Sequence, residues 1–461
     1  MSVVLFRADS SSKIGTGHLM RDLVLARREF SDTRVIFAVR DLPGNINQKI
    51  RGAGYEIRIL GSNDVAELIT LAREVAAETI VIDHYGIDIE EERRIKEATG
   101  AELFVLDDTY RAHDCDILLN HNLYADAKRY DGLVPSSCRI LCGPAYTLLR
   151  EEFISAKKKE ECKGKKPAKA RRVFLALGGS DPAGLIMPIL KVLSFFPEIV
   201  VDVATTSANE RVEQLASYAQ TRPCVQLHID SEHIATLIAR ADLAIVSASV
   251  ILNEVHYLGI PYIAIKTAEN QKEMLEFLER NSAPLLVEFD PYRLFRMLEE
   301  KIRNVPLDTT IDFPAMDESQ KRRVLEWRND PKVRKWMYNR STISLEDHYR
   351  WIDQLRCQET RRYWLVQREE SDIGIIDLVD IDPISKRADI GLYADPQRRG
   401  EGVFLMLTLM KKAEEIGLKT LRAEVFAENL RAIRLYRFFG FEEQSLKRVD
   451  GREIIVMERA L

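Results

Sequence analysis

The sequence predicts an α/β chain in which two parallel-sheet lobes of similar size precede an α+β domain with a mixed sheet. Three observations carry this. Short apolar runs alternate with amphipathic stretches, and the alternation occurs twice; such strand–helix order builds a parallel sheet covered on both faces. Between the two rounds lies Lys157–Arg172, with nine basic and two acidic residues and no apolar periodicity, which reads as a solvated linker. After Asn304-Val-Pro-Leu-Asp308 the order changes to helices first, then adjacent strands. A chain of 461 residues also exceeds one ordinary core. The expected bounds are a first lobe over 1–156, a linker over 157–172, a second lobe over 173–305, a linker over 306–316 and a last domain over 317–461.

In the first lobe the strands are expected at Val3–Phe6, Arg34–Val39, Thr79–Asp83 and Leu103–Leu106, with helices such as Arg21–Glu29 and Val65–Ala77 between them. The second lobe repeats the pattern, with strands at Val173–Leu177, Ile199–Ala204, Val225–Ile229, Leu243–Val246 and Tyr262–Ile265. Its helices fall at Leu185–Leu193, Ser231–Ala239, Ile251–Leu258 and Glu269–Glu279. The last block has helices over Glu318–Arg328 and Leu345–Leu355. Strands follow at Tyr363–Arg368, Ile373–Asp380 and Arg387–Ala394, then a helix, a strand at Leu421–Phe426, a second helix and a terminal hairpin.

A formal charge of -5 with 30% charged and 46% hydrophobic residues is that of a soluble globular protein and points to neither nucleic acid nor membrane. The start, Met1-Ser-Val-Val-Leu-Phe6, lacks a basic n-region, and no 18 apolar residues run together, so a cytoplasmic location is expected. Six cysteines (115, 138, 142, 162, 224, 357) are scattered. Cys138 and Cys142 have metal-ligand spacing without a second pair, so reduced thiols and no metal site are expected.

Chemistry concentrates at the strand–helix turns. Ile14-Gly-Thr-Gly-His-Leu-Met-Arg21 sets Gly15 and Gly17 before His18 and Arg21 at a helix start. The positive end of the helix dipole disfavours imidazolium, and a neutral imidazole is a suitable proton acceptor; a simple helix cap is the competing reading. Ala176-Leu-Gly-Gly-Ser-Asp-Pro182 offers Gly179 and Ser180 as a phosphate cradle, with Pro182 suited to a first helical turn. A tight strand–helix connection is the alternative. Ser247–Glu254 leads into a helix carrying Glu254, whose carboxylate can accept from ribose hydroxyls, and Glu269, Asn270 and Gln271 follow Gly259-Ile-Pro261. Asp107-Asp108 resembles a glycosidase pair, but adjacent strand residues point to opposite faces.

Together, GTGHLMR, LGGSDP and the Glu254…GIP…AENQ series resemble the UDP-sugar hydrolase family of pseudaminic-acid biosynthesis, over roughly residues 1–305. The resemblance implies two Rossmann-like lobes of the glycosyltransferase-B type and metal-free hydrolysis of UDP-2,4-diacetamido-2,4,6-trideoxy-β-L-altropyranose. It implies water activation by His18, sugar contacts from Tyr85 and Asn270, diphosphate at Gly179 and Ser180, and ribose at Glu254. Ser247–Asn253 is bulkier than that family's small-residue stretch.

In the last block, Gln397-Arg398-Arg399-Gly400-Glu401-Gly402 joins a strand to a helix and leaves backbone N–H groups for an anionic diphosphate. Asn429, Ala432 and Tyr436 share helical spacing; Tyr436 can donate a proton to a thiolate and Asn429 can bond a pantetheine arm, although such a Tyr alone is more often structural. With Phe439-Gly-Phe441 the set resembles a GNAT acetyltransferase, implying acetyl-CoA bound by the 398–403 backbone, Val403 included. Glu326–Tyr338 and Ile343–His348 resemble the N-acetyltransferase of the same pathway. That resemblance implies a UDP-4-amino-sugar acceptor at Arg328, Met337, Tyr338 and His348. Asp389 and Glu424 are candidate bases for the amine, beside a water relay. The combined expectation is a bifunctional enzyme acting on UDP-linked amino-sugars, as a monomer or homodimer. An isomeric amino-sugar, or a MurG-like glycosyltransferase fused to an acetyltransferase, is the alternative.

Overall fold

A computed structural model of the chain describes residues 2–11, 13–161, 170–196, 198–302, 309–368 and 371–461. Two compact units divide it. One comprises Met1–Lys166, Glu232–Ala264 and Ala268–Leu285; the other comprises Pro167–Ser231, Ile265–Thr267 and Leu286–Leu461.

Seven strands form the first sheet: β1 (Val3–Ala8), β2 (Arg34–Val39), β3 (Glu56–Ile59), β4 (Thr79–Asp83), β5 (Glu102–Leu106), β6 (Ile117–Asn120) and β7 (Arg139–Cys142). Their order is β3-β2-β1-β4-β5-β6-β7, and every ladder is parallel. Alternate residues explain why the runs are apolar throughout. Leu5, Ile36, Ile80, Ile82, Leu103 and Val105 join one core, and Val4, Phe6, Phe37, Val81 and Phe104 the other. The order reverses between β1 and β4, which opens a crevice beyond their carboxyl ends.

The second sheet holds β8 (Arg172–Ala176), β9 (Val200–Thr205), β10 (Val225–Ile229), β11 (Leu243–Ser247), β12 (Tyr262–Ile265) and β13 (Leu285–Leu286), in the order β10-β9-β8-β11-β12-β13. It repeats the topology of the first. The third sheet is mixed: β14 (Thr309–Asp312), β15 (Arg362–Arg368), β16 (Ser371–Asp382), β17 (Arg387–Ala394), β18 (Thr420–Phe426), β19 (Glu442–Val449) and β20 (Arg452–Ala460), in the order β14-β15-β16-β17-β18-β20-β19. Antiparallel ladders flank one parallel pair, β17 with β18. Phe313, Trp327, Ile352, Leu365 and Ile375 pack the helices Glu318–Asn329 and Leu345–Leu355 onto it.

Several expectations need correction. Lys157–Glu161 continues the helix Glu151–Glu161, so the basic segment is not linker at its start; residues 162–169 lie outside the described residues. Thr309–Asp312, expected as linker, is the edge strand paired with β15. Pro182 stands in a turn four residues before the helix Ile186–Leu193, because Asp181 accepts from the N–H groups of Leu185 and Ile186 and delays the helix start. The expected helix Glu269–Glu279 begins as a short 3-10 turn, Glu269–Gln271.

One buried polar network rigidifies the first lobe and titrates. His113 Nδ1 donates to Glu92 at 2.7 Å, Nε2 lies 3.7 Å from Asp107, and Asp107 accepts from Tyr130 at 2.8 Å. Burial disfavours charge on His113, but the two carboxylates outweigh it and push the pKa up to about 9. A folded-state pKa above the unfolded value of about 6.5 means stability fully present below pH ~6.5 and lost as pH rises through 9. Thermal melts should therefore show Tm falling between pH 7 and 10, with at most about 3 kcal/mol involved. His113→Gln should flatten that limb; an unchanged alkaline limb would remove His113 as its source.

Candidate active sites

His18 sits second in the helix Gly17–Glu29, directly after β1, and Asp83 ends β4, so both flank the point where the strand order reverses. His18 Nδ1 lies 2.7 Å from Asp83 Oδ1, and Arg21 donates to both Asp83 oxygens at 2.5 and 2.6 Å. Burial opposes charge on Asp83, yet Arg21 and His18 hold its carboxyl well below the usual carboxylate range. An ionised carboxylate only accepts, so the Asp83 contact favours the proton on Nδ1, although Arg21 Nη2 also lies 3.2 Å from that nitrogen; in the neutral ring of that tautomer Nε2 holds the lone pair. Arg21 also donates to Asp108 at 3.2 Å, and Asp108 accepts from the Tyr85 hydroxyl at 2.8 Å. The Tyr85 ring meets His18 edge-on at 4.9 Å and is 49% exposed, so it forms an open wall of the site.

Two further buried groups line this cluster. Asp22 lies one helical turn beyond His18, and neither carboxylate oxygen has a partner among the described residues. Burial and the charge of Asp83 raise its pKa well above normal, so it is the protonated member beside an ionised one. His121, just past β6, has no partner for either ring nitrogen among the described residues; burial, then Arg21, brings its pKa down to about 3 and keeps it neutral.

Gly15 has φ +87° and its amide closes a turn onto the Ser11 carbonyl at 2.8 Å. Gly17 opens the helix, whose N-cap Thr16 makes no side-chain bond to it, leaving the first-turn N–H groups for a ligand. In the same unit, Glu254 on the helix Val250–Tyr257 faces Arg150 at 3.4 Å, and burial pushes its pKa up to about 7 against the pull of that arginine. The bulkier stretch before it is accommodated by use: Leu252 is buried, Val250 points out at 51% exposure, and Asn253 bonds Leu123 N and Asn122. Gln271 accepts from Ala268 N at 3.3 Å, while Glu269 is exposed. The Asn270 side chain lies outside the described residues.

The Gly179–Ser180 turn belongs to the other unit. Gly178 has φ +86°, and the Gly179 carbonyl accepts from the hydroxyls of Thr205 and Thr206 at 2.9 and 3.0 Å. A Cβ at Gly179 would meet Thr206 at 2.9 Å, so only glycine permits this closure.

In the third sheet, β17 and β18 pair in register from Arg387↔Thr420 only to Ile390↔Ala423. β17 continues to Ala394 and β18 to Phe426, so the two strands part. The backbone edges of a parted parallel pair can bond the amides of an extended ligand. Beyond β17, Asp395 holds the turn through Gln397 N and Arg398 N, Gly400 takes φ +92°, and the 15-residue helix Gly402–Ile416 follows with Glu401 as its cap residue. Its first turn carries no acidic side chain to compete with an anion, and Val403 lies within it; Arg398 and Arg399 flank the turn. Tyr436 is buried on the helix Leu430–Phe438, where burial, then Asp377, raises its pKa, so its hydroxyl is a proton donor at neutral pH.

A family model described as an acetyltransferase (GNAT) domain matches residues 314–442. The UDP-2,4-diacetamido-2,4,6-trideoxy-β-L-altropyranose hydrolase of Campylobacter jejuni is 39% identical over 278 residues, 60% of this chain and 96% of that protein. The acetyltransferase PseH of Campylobacter jejuni is 34% identical over 127 residues, 27% of this chain and 79% of that protein. The chain belongs to both families. An uncharacterized Methanocaldococcus jannaschii protein aligns with both parts at once, at 22% identity over 96% of this chain and 97% of its own. The last third is thus an acetyltransferase domain whose co-substrate is acetyl-CoA, and the parted strands and uncapped turn fit an extended pantetheine arm and a diphosphate.

Within the acetyltransferase domain the structure revises two expectations. Asn429 precedes its helix as the cap, and its Oδ1 is spent on Ala432 N, so it does not share the helical face of Tyr436. His348 is 2% exposed with Nε2 on the Lys321 carbonyl, which places it in helix packing rather than on an open wall. One guanidinium nitrogen of Arg328 donates to the Asn339 carbonyl at 2.7 Å, and Nη1 is buried without a partner among the described residues. Tyr338, half exposed, donates to Glu424, and Met337 is half-buried beside it.

In the hydrolase-like region, sequence reasoning missed Asp83, Asp108, Asp22 and His121. Asp83 lies in Asp83-His-Tyr-Gly86, two residues from Tyr85, at a strand end beside the switch point; that position was its available signal. Asp107 and Asp108 face different partners: Asp107 turns to Tyr130 and Thr109, and Asp108 to Tyr85 and Arg21.

Proposed function

We propose that the chain carries two consecutive steps of pseudaminic-acid synthesis, with a division into residues 1–156, 173–305 and 317–461, the last joined by the edge strand Thr309–Asp312. The acetyltransferase domain moves an acetyl group from acetyl-CoA to N4 of UDP-4-amino-4,6-dideoxy-N-acetyl-β-L-altrosamine. The two lobes then hydrolyse UDP-2,4-diacetamido-2,4,6-trideoxy-β-L-altropyranose to UDP and the free sugar, as an enzyme of the 3.6.1 class. The observation that carries the hydrolytic step is the His18–Asp83 pair at the switch point. Nε2 takes a proton from water as the oxygen attacks the anomeric carbon, and the bond to the diphosphate breaks. Amide dipoles at the Gly17 helix start are suited to the charge that develops on the departing UDP. The unpartnered Arg328 nitrogen supports a diphosphate-bearing acceptor in the last domain.

Incubation of the whole chain with acetyl-CoA and the UDP-4-amino-sugar tests both steps. Mass spectrometry and NMR should find CoA, UDP and the diacetamido sugar in equal amounts. Acetylation followed by UDP release only on addition of a sugar acceptor would make the lobes a glycosyltransferase and defeat the hydrolase reading.

A further inference from the structure

The acetyl transfer needs a group that removes a proton from the acceptor amine, and the fork between β17 and β18 contains three carboxylates from which to choose. Asp389 pairs with Arg422 at 3.0 Å. Glu424 is engaged three times, by Arg422 at 2.5 Å, Lys447 at 2.6 Å and the Tyr338 hydroxyl. A carboxylate held by two cations, as Glu424 is, is a poor base because its charge is already stabilised. Asp389 has one cation, Arg422, and burial raises its pKa against it, but it remains committed to that ion pair. Asp377 has neither an ion pair nor a hydrogen bond among the described residues.

Its place is the apex of the fork. On β16 it stands directly across from Gly391, the first β17 residue beyond the last pair with β18, and across from Tyr363 on β15. Residues opposite each other in a ladder share a face, so Asp377 projects on the side of Tyr363, Gly391 and, two residues on, Tyr393. Gly391 makes room for it: a Cβ there would meet the two carboxylate oxygens at 2.5 and 2.7 Å. The titratable groups facing it are the neutral hydroxyls of Tyr363, Tyr393 and Tyr436, with Arg328 beside Tyr393. No cation among the described residues ties the carboxylate down, and the Tyr436 hydroxyl is close enough to feel its charge.

We propose that Asp377 is the general base of the acetyl transfer, taking a proton from the acceptor's ammonium group at the fork apex; this rests on the acetyltransferase reading above. The free amine then attacks the thioester carbonyl carbon, a C–N bond forms and the C–S bond breaks. Tyr436 gives its proton to the departing sulfur and regains one from the nitrogen of the intermediate, while the proton on Asp377 passes to solvent. Burial pushes the Asp377 carboxyl up to about 7, which matches a base working near neutrality.

The test is Asp377→Asn in the full chain, with CoA release and product mass followed from pH 5.5 to 9.5. Turnover with the UDP-4-amino-sugar should fall about 10²–10³-fold at pH 7 with KM for acetyl-CoA unchanged. The loss of rate expected below pH ~7 in the unaltered enzyme should be absent from the variant. Gly391→Ala should also depress turnover, since its methyl group displaces the carboxylate. Asp377→Asn at wild-type rate, or a slow variant that keeps the same acidic limb, overturns the assignment. If Asp377→Asn does not fold, an unaltered rate and pH profile in Gly391→Ala overturns it instead. Absence of acetylation by the unaltered enzyme would defeat the acceptor reading and this assignment together, whereas normal acetylation by Asp377→Asn defeats the assignment alone.

Discussion

Replacing His18 by alanine is expected to cut UDP release by about 10³-fold while acetyl transfer continues at its normal rate. The asymmetry follows from the architecture. His18 lies in a unit that contains none of the acetyltransferase strands, so acetylation by the same sample reports that the chain is folded. Asp83→Asn should lower UDP release by about 10²–10⁴-fold with the imidazole still present. An amide can donate to Nδ1 where the carboxylate could only accept, which turns the ring to the wrong tautomer and removes the lone pair from Nε2. It also strips Arg21 of its bidentate partner, so a melt should accompany the assay. If either variant released UDP within a few-fold of the unaltered rate, His18 would not be the base.

Tyr436→Phe is expected to lower acetyl transfer by about 10²-fold, with UDP release from the already acetylated substrate unaffected. The hydroxyl is held protonated by burial, so at neutral pH it can only donate. The loss should appear in turnover and leave KM for acetyl-CoA unchanged, as for an interaction made only in the transition state. A rise in KM alone would instead make Tyr436 a binding residue.

How far these sites could be read from sequence depends on how local each signal is. The turns Gly15–Arg21 and Gln397–Gly402 were legible because a glycine-rich strand–helix junction is specified within a few residues. The place of Tyr436 on its helix was legible through helical spacing, although the same logic misplaced Asn429, which caps the helix instead of continuing it. Thr309–Asp312 was missed because four residues carry too little periodicity, and only pairing with β15 makes them a strand.

What the sequence determined by itself was the repeated α/β order, the mixed last domain, and the residue types at each turn, since these rest on periodicity and local backbone chemistry. What only the tertiary structure decided was which charges meet. Asp83 reaches His18 across 65 positions because parallel pairing sets β1 beside β4. Among the three acidic residues of the acetyltransferase fork, ladder register leaves Asp377 uncommitted while Arg422 and Lys447 hold the other two. Nothing in a local window distinguishes a paired carboxylate from a free one, because the partner lies on another strand.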